Sequence, residues 1–311
     1  MHEFVVPAHD GILDRIAGAP ISWGVCEVPG WGRQLDPGTV LREMTELGFT
    51  ATEDGPDGFL PDHPDDRAAT LAAHGLRAVG RFVPVVLHDP AHDPLPEVEA
   101  ALAALPSPDA VLVLAAVHGG EGYDSRPALG DGGWATLLPT LDRIADAADA
   151  RGLVVTLHPH VGTMVESGEE TARLLAGSRI PLCLDTGHLI IGGGDPTAVA
   201  RDHPDRIAHV HLKDVRRPLA EGVRSGSLGY REAVRAGMYV PLGTGDADIA
   251  AVIASLESAG YTGWYVLEQD TVLDPSPAGA GTADALSDVR TSVEFLRRVA
   301  AQVEAGRREE A

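Results

Sequence analysis

His209-Val210-His211-Leu212-Lys213-Asp214 follows directly on a short apolar start, Ile207-Ala208, and three other stretches repeat the same device. They are Leu157-His158-Pro159-His160, Cys183-Leu184-Asp185-Thr186-Gly187-His188 and Val266-Leu267-Glu268. In each, acid/base or metal-ligating side chains stand at the end of a short apolar run bounded by turn residues, which is the pattern of a strand buried on both faces. Polar groups therefore gather at one end of a parallel sheet. In a closed (β/α)8 barrel that end is where active sites are built, so these four stretches imply an enzyme.

Working outward, strand-like segments are expected at Gly18–Trp23, Thr50–Glu53, Arg77–Leu87 and Ala110–Ala115, ahead of the four runs above. Helix-like segments alternate with them at Pro37–Leu47, Asp65–His74, Leu95–Leu105, Trp134–Ala150, Gly168–Ala176, Asp195–Asp202, Ala247–Ala259 and Thr282–Glu304. Ser167-Gly168-Glu169-Glu170 and Asp195-Pro196 carry good helix-start chemistry. Strict alternation gives an α/β class, a single TIM barrel over residues 1–311. Long loops are expected after the fourth strand (His118–Gly133) and the seventh (Val215–Gly243, with a short helix near Gly229–Ala236), and a mobile tail over 306–311.

Charge narrows the partners. With 46 acidic against 24 basic residues and a net charge of −22, nucleic acid and anionic membrane surfaces are repelled. Two cysteines, Cys26 and Cys183, form no disulfide framework, which makes a reducing cytoplasm the expected compartment. Met1-His2-Glu3 has no basic leader, and no apolar run reaches the roughly 18 residues needed to span a bilayer. A homo-oligomer is compatible with this composition. Lys213 is the only lysine in the chain. Codon bias explains the scarcity, whereas a need for a titratable amine explains the survivor, because arginine stays protonated at any working pH.

Strand alternation puts His209, His211 and Lys213 on one face, and Trp264, Val266 and Glu268 on another. If the last polar residue of each strand points inward, His158, Asp185, His211 and Glu268 converge. Two imidazoles and two carboxylates suit a divalent ion such as Mn²⁺, Co²⁺, Fe²⁺ or Zn²⁺. The loop Leu242-Gly243-Thr244-Gly245-Asp246 has the look of a phosphate cradle, but Asp246 and Asp248 would repel a phosphate there.

These motifs, with Pro20-Ile21-Ser22-Trp23-Gly24, Gly48–Gly55, Gly237–Gly243 and Gly263-Trp264-Tyr265-Val266-Leu267-Glu268, resemble the xylose isomerase-like TIM-barrel superfamily, and within it the inosose dehydratases of myo-inositol catabolism. The resemblance runs from the first strand to the last. It implies a metal held at position 158, Asp185, His211 and Glu268, where the superfamily typically has a glutamate at the first position and this chain has histidine. A symmetrical two-carboxylate epimerisation loses a partner by that change. A dehydration needs one base beside a ketone and one acid at the neighbouring hydroxyl.

The implied function is thus a metal-dependent dehydratase of an inosose or related keto-polyol, with an isomerase or epimerase of a keto-sugar as the alternative. The ion would polarise the ketone, with Mn²⁺ or Co²⁺ favoured. Lys213 or His188 would carry the proton. His160 would bind substrate or replace His158 as ligand. Glu53 would bind hydroxyls or pair with an arginine such as Arg81. Trp23 and Trp31 would wall the ring. Leu114–His118 lacks the polar stretch with a glutamate that inosose dehydratases tend to have on their fourth strand, so a departure of the substrate from the cyclic inosose is expected in that quarter.

Overall fold

In the computed structural model, which describes residues 11–107, 109–120, 122–274 and 284–310 with side chains to 307, eight parallel strands close into a barrel. They are β1 (Ile16–Gly18), β2 (Ala51–Glu53), β3 (Arg77–Val85), β4 (Val111–Ala116), β5 (Val154–Leu157), β6 (Leu182–Asp185), β7 (Ile207–Leu212) and β10 (Tyr265–Leu267). β1 pairs with both β2 and β10, so no edge is left. Helices α1 (Pro37–Leu47), α2 (Pro64–Ala73), α3 (Leu95–Ala103), α4 (Asp131–Asp149), α5 (Gly168–Gly177), α6 (Thr186–Ile191) and α7 (Pro196–Asp202) fill the first crossovers. The last third adds α8 (Arg217–Arg224), α9 (Tyr230–Arg235), α10 (Ile249–Ser258) and α11 (Ala285–Glu310). A small antiparallel ribbon, β8 (Asp214–Val215) with β9 (Tyr239–Val240), sits beside the barrel within the segment after β7. Among the described residues no helix is long and apolar enough to cross a membrane.

Local chemistry explains these elements. Asp36 caps α1 by accepting from the Thr39 N–H, Pro37 fills the first turn, and Gly48 ends the helix at φ 92°. Ser167 and Glu170 form a reciprocal capping box at α5. Closure is reinforced by Arg15, just ahead of β1, whose guanidinium donates to the buried Glu257 of α10 at 2.5 Å and to the carbonyls of Tyr261 and Gly263. Glu257 also accepts from the Tyr265 hydroxyl at 2.8 Å, so one carboxylate joins the strand-one entry to β10.

Three sequence expectations differ from the structure. The strand expected over Gly18–Trp23 ends at Gly18, and Pro20–Trp23 is a 3₁₀ turn closed by Gly24 at φ 76°. Proline has no N–H for a sheet ladder, and its fixed φ suits a helical turn instead. Where a mobile tail was expected from Gly306, α11 continues to Glu310, and Arg307 pairs with Glu257 at 3.1 Å. The final helix begins at Ala285, while the expected start at Thr282 lies outside the described residues. The segment after β7 is more ordered than a long loop with one short helix, because it holds α8, α9 and the ribbon.

Candidate active site

Register brings the polar strand ends together. Asp185 on β6 lies opposite His211 on β7, and His211 lies opposite Val266 on β10, two residues before Glu268. Asp185 Oδ2, His211 Nδ1 and Glu268 Oε2 form a buried group compact enough to hold one ion. His211 Nδ1 is 3.2 Å from Glu268 and 3.6 Å from Asp185. His158 reaches the same Asp185 oxygen through Nε2 at 3.2 Å, but it belongs to other compact groups, with Asp185 and His188 or with Cys183 and His211. Three of the four expected ligands therefore share one cluster, and His158 adjoins it through Asp185. His160 is in none of these groups.

Every letter of the Asp185-Thr186-Gly187-His188 stretch has a task. Asp185 Oδ1 accepts the His188 N–H at 2.8 Å and so starts α6, while Oδ2 faces the cluster. The Thr186 hydroxyl donates to the Lys213 carbonyl at 2.7 Å and accepts the Lys213 N–H at 2.8 Å. A Cβ at Gly187 would stand 2.7 Å from the Lys213 Cβ, so only glycine lets the β7 exit come this close. The His188 imidazole then meets the Lys213 ammonium, Nε2 to Nζ, at 3.1 Å. Asp214, next in the chain, accepts the N–H groups of Gly243, Gly245 and Ala247 at 2.8–2.9 Å. The loop that resembles a phosphate cradle is thus already filled by a carboxylate of the chain.

Lys213 Nζ lies 2.8 Å from Glu268, 3.1 Å from Asp270 and 3.2 Å from Asp185. Burial alone would lower its pKa, but Asp185, Asp270 and Glu268 together hold it well above the ordinary lysine value. Burial, with His160 and Lys213 beside it, keeps His188 well below the ordinary histidine value. An ammonium therefore donates to a neutral imidazole. Burial and the neighbouring His158 and Lys213 push His160 down to about 3. Its Nδ1 lies 2.7 Å from the Val161 carbonyl, which places the ring proton on Nδ1 and leaves Nε2 as an acceptor.

Glu53 lines the cavity, where it was expected to bind substrate, but it does not pair with Arg81. Its Oε1 takes His209 Nε2 at 2.8 Å and His211 Nε2 at 3.0 Å, and Arg81 pairs with Asp57 instead. Burial would raise Glu53, but His211 and His209 keep it below the usual carboxylate range. With Nε2–H committed to Glu53, His211 presents Nδ1 to Asp185 and Glu268, the arrangement that orients a metal-binding histidine.

The cavity beside this cluster has a volume of about 200 Å³. Glu53, His158, His160, His211, Lys213 and Glu268 line it, with Asp270, Tyr123 and Tyr230. Trp31 lines it as expected, but Trp23 does not: the 3₁₀ turn carries Trp23 into the core, where its indole N–H donates to Glu43 at 2.8 Å. His188 does not line it either, because it is buried behind His160 with ring centroids 3.7 Å apart. Leu114, Ala115 and Ala116 are wholly buried, so the β4 stretch presents no side chain there and the neighbouring wall is Phe82 and Pro84 of β3.

Charge bears on the donor set. Four buried carboxylates gather here: Asp185, Glu268 and Asp270 around the ammonium of Lys213, and Glu53 against His211, whose pKa burial would lower but Cys183, Glu268 and Glu53 hold well above the ordinary histidine value. Buried carboxylates in such excess need further positive charge, and buried His158 Nδ1 has no hydrogen-bond partner. The nitrogen and oxygen donors present fit a divalent ion.

Asp270, Tyr230 and Tyr239 were not foreseen from the sequence. Asp270 stands two residues beyond Glu268, so alternation was its available signal. The tyrosines sit in the segment after β7, Tyr230 in α9 and Tyr239 in β9, and no local spacing ties either of them to Asp270.

Comparison with known proteins adds lineage. The family described as xylose isomerase-like TIM barrel matches residues 41–299. An inosose dehydratase of Geobacillus kaustophilus is 34% identical over 283 residues, covering 85% of this chain and 89% of that protein. Among solved structures, an L-ribulose 3-epimerase superposes with a TM-score of 0.66 at 16% identity, covering 96% of this chain and 98% of the other. The IOLI protein with a bound zinc atom superposes with a TM-score of 0.61 at 13% identity, covering 93% and 97%.

Proposed function

Because the chain belongs to the xylose isomerase-like TIM-barrel family, we propose that it is a divalent-metal-dependent dehydratase of an inosose or a closely related neutral keto-polyol. The observation that carries this reading is the placement of Lys213. It lines the cavity while its ammonium touches Glu268 and Asp185, two members of the cluster that fits an ion. Asp185, His211 and Glu268 would hold the ion, with His158 adjoining. When bound, it supplies Lewis-acid polarisation of a ketone, with Mn²⁺ or Co²⁺ as the preferred ions.

The chain's own groups do the rest. Asp185 and Glu268 hold the Lys213 ammonium, and with those carboxylates engaged by an ion that hold would weaken. A proton could then pass from Lys213 to the neutral His188 along their 3.1 Å hydrogen bond and leave an amine base facing the cavity. That amine takes the proton from the carbon beside the ketone and returns one to the hydroxyl on the next carbon. One C–H and one C–O bond break, a C=C bond forms, and water leaves. His160 Nε2 accepts a substrate hydroxyl, and Trp31, Phe82 and Pro84 pack against the C–H face of the ring.

A neutral substrate fits because Lys213 is the single lysine or arginine among the residues lining the cavity, and three carboxylates already engage it. The test is turnover of 2-keto-myo-inositol by protein loaded with Mn²⁺ or Co²⁺, read as enone or diketone absorbance and abolished by chelator. No turnover by the loaded protein defeats the dehydratase reading. Solvent deuterium entering the substrate without water loss would assign the site to a keto-sugar isomerase or epimerase.

A further inference from the structure

We propose that Asp270 is the positioning residue for Lys213, and that Tyr230, from the segment after β7, holds Asp270 in place. This goes beyond the site's proposed reaction and rests on that reading for its catalytic consequence. Lys213 has three N–H donors and four partners within 3.2 Å: Glu268, Asp270, Asp185 and His188. Asp185 and Glu268 also belong to the cluster able to hold an ion, so their charge is shared. Asp270 belongs to no such cluster, and its Oδ1 has Lys213 at 3.1 Å. It is the counter-ion available to the ammonium alone.

Asp270 is itself fixed from behind. Its Oδ2 accepts the Tyr230 hydroxyl at 2.6 Å, and that hydroxyl lies 3.0 Å from the Tyr239 hydroxyl. All four side chains are buried, and Nζ stands 5.7 Å from the Tyr239 ring centroid. Tyr230 is locked in turn. Its N–H donates to Asp124 at 2.6 Å, and its ring packs on Tyr123 at 5.3 Å and Trp31 at 6.3 Å. The chain from Asp124 through Tyr230 and Asp270 to Lys213 thus links the loop after β4 and the insertion after β7 to the one ammonium in the cavity. With Nζ pinned on this side, the hydrogen bond to His188 keeps its direction.

The single lysine makes the test direct, because full-length protein labelled with ¹³C-lysine gives one Lys213 side-chain signal. In Asp270→Asn and Tyr230→Phe that signal moves or broadens, Mn²⁺ affinity measured by calorimetry stays unchanged, and kcat falls with little change in KM. The fall is roughly ten- to a hundredfold for Asp270→Asn, which removes the charge of a buried ion pair, and smaller for Tyr230→Phe. Tyr230→Phe removes a single oxygen and keeps the ring packing, so it carries the test if Asp270→Asn does not fold. An unmoved Lys213 signal overturns the proposal, as does a moved signal with unchanged kcat. A loss of Mn²⁺ affinity matching the loss of kcat also overturns it, by assigning Asp270 to the ion. If the loaded protein turns over no keto-polyol, the dehydratase reading fails while the Lys213 signal still decides this one.

Discussion

The two halves of the barrel mouth are built from the same βα unit and present opposite chemistry. Strands β5, β6, β7 and β10 end in His158, Asp185, His211 and Glu268, with Lys213 and Asp270 just beyond. The other half offers Ala19, Ile21 and Val25 near β1 and Phe82 and Pro84 on β3, while β4 ends in the wholly buried Ala115 and Ala116. Backbone pairing fixes positions equally in both halves, so the difference lies in side chains alone. One half moves protons and holds charge, and the other shapes the space a ring occupies. Glu27 and Asp57, on the loops after β1 and β2, also line the cavity, and Glu53 is the β2 carboxylate that reaches across to His209 and His211.

The largest effect should follow a change in the polar half. Lys213→Met keeps the length of the side chain and removes the proton carrier, and turnover should drop by roughly 10²- to 10⁴-fold, the usual weight of acid/base catalysis. Steady-state kinetics on metal-loaded protein checks this, and near-normal kcat would remove Lys213 from the chemistry. Next comes the link between the halves. Glu53→Gln leaves one oxygen for two imidazole N–H groups and takes away their counter-charge, so metal affinity should fall by about ten- to a hundredfold. A chelator competition titration measures it. Unchanged affinity would mean that His211 needs no support from the first half.

A smaller effect is expected in the apolar half. Phe82 packs near His158 and His160, with ring centroids about 6 Å apart, and takes no part in the hydrogen-bond network around Lys213. Phe82→Ala should raise KM by roughly three- to tenfold through lost apolar contact and leave kcat nearly alone. A matching fall in kcat would show that this wall also orients the reacting carbons.

The same contrast explains what was legible in the chain. In the polar half, period-two alternation and turn-bounded apolar runs located Asp185, His211, Lys213 and Glu268 to the residue, because strand geometry leaves little freedom there. Trp23 was misplaced because Pro20 turns the chain after only three residues of β1, and a propensity pattern does not show which way a 3₁₀ turn throws its last side chain. The pairing of Glu53 with His209 and His211 was not legible, because those partners lie 156 and 158 residues away, a separation that no local pattern encodes. His188 was expected to carry a proton, but its motif does not show that its seat in the first turn of α6 puts it behind His160, against Lys213.

The least effect belongs to the seam where the two halves are fastened. Arg126, on the loop after β4, pairs with Glu166 at 3.0 Å and with both oxygens of Glu170 at 2.8 and 2.9 Å, so a loop of the first half is clamped to the start of α5 in the second. Burial would raise the Glu170 pKa, but Arg126 and the backbone N–H groups of Ser167 and Glu166 lower it below the ordinary value. A carboxylate depressed in the folded state adds stability above its unfolded pKa of about 4.3, and that stability drains away as pH falls through the folded value. Arg126→Met should therefore melt a few degrees below the parent at pH 7, in keeping with a partly exposed ion pair worth about 1 kcal/mol. The gap should narrow in melts run at pH 4 and below. A gap independent of pH would mean that Arg126 holds the loop by packing alone, and that the clamp between the halves is not electrostatic.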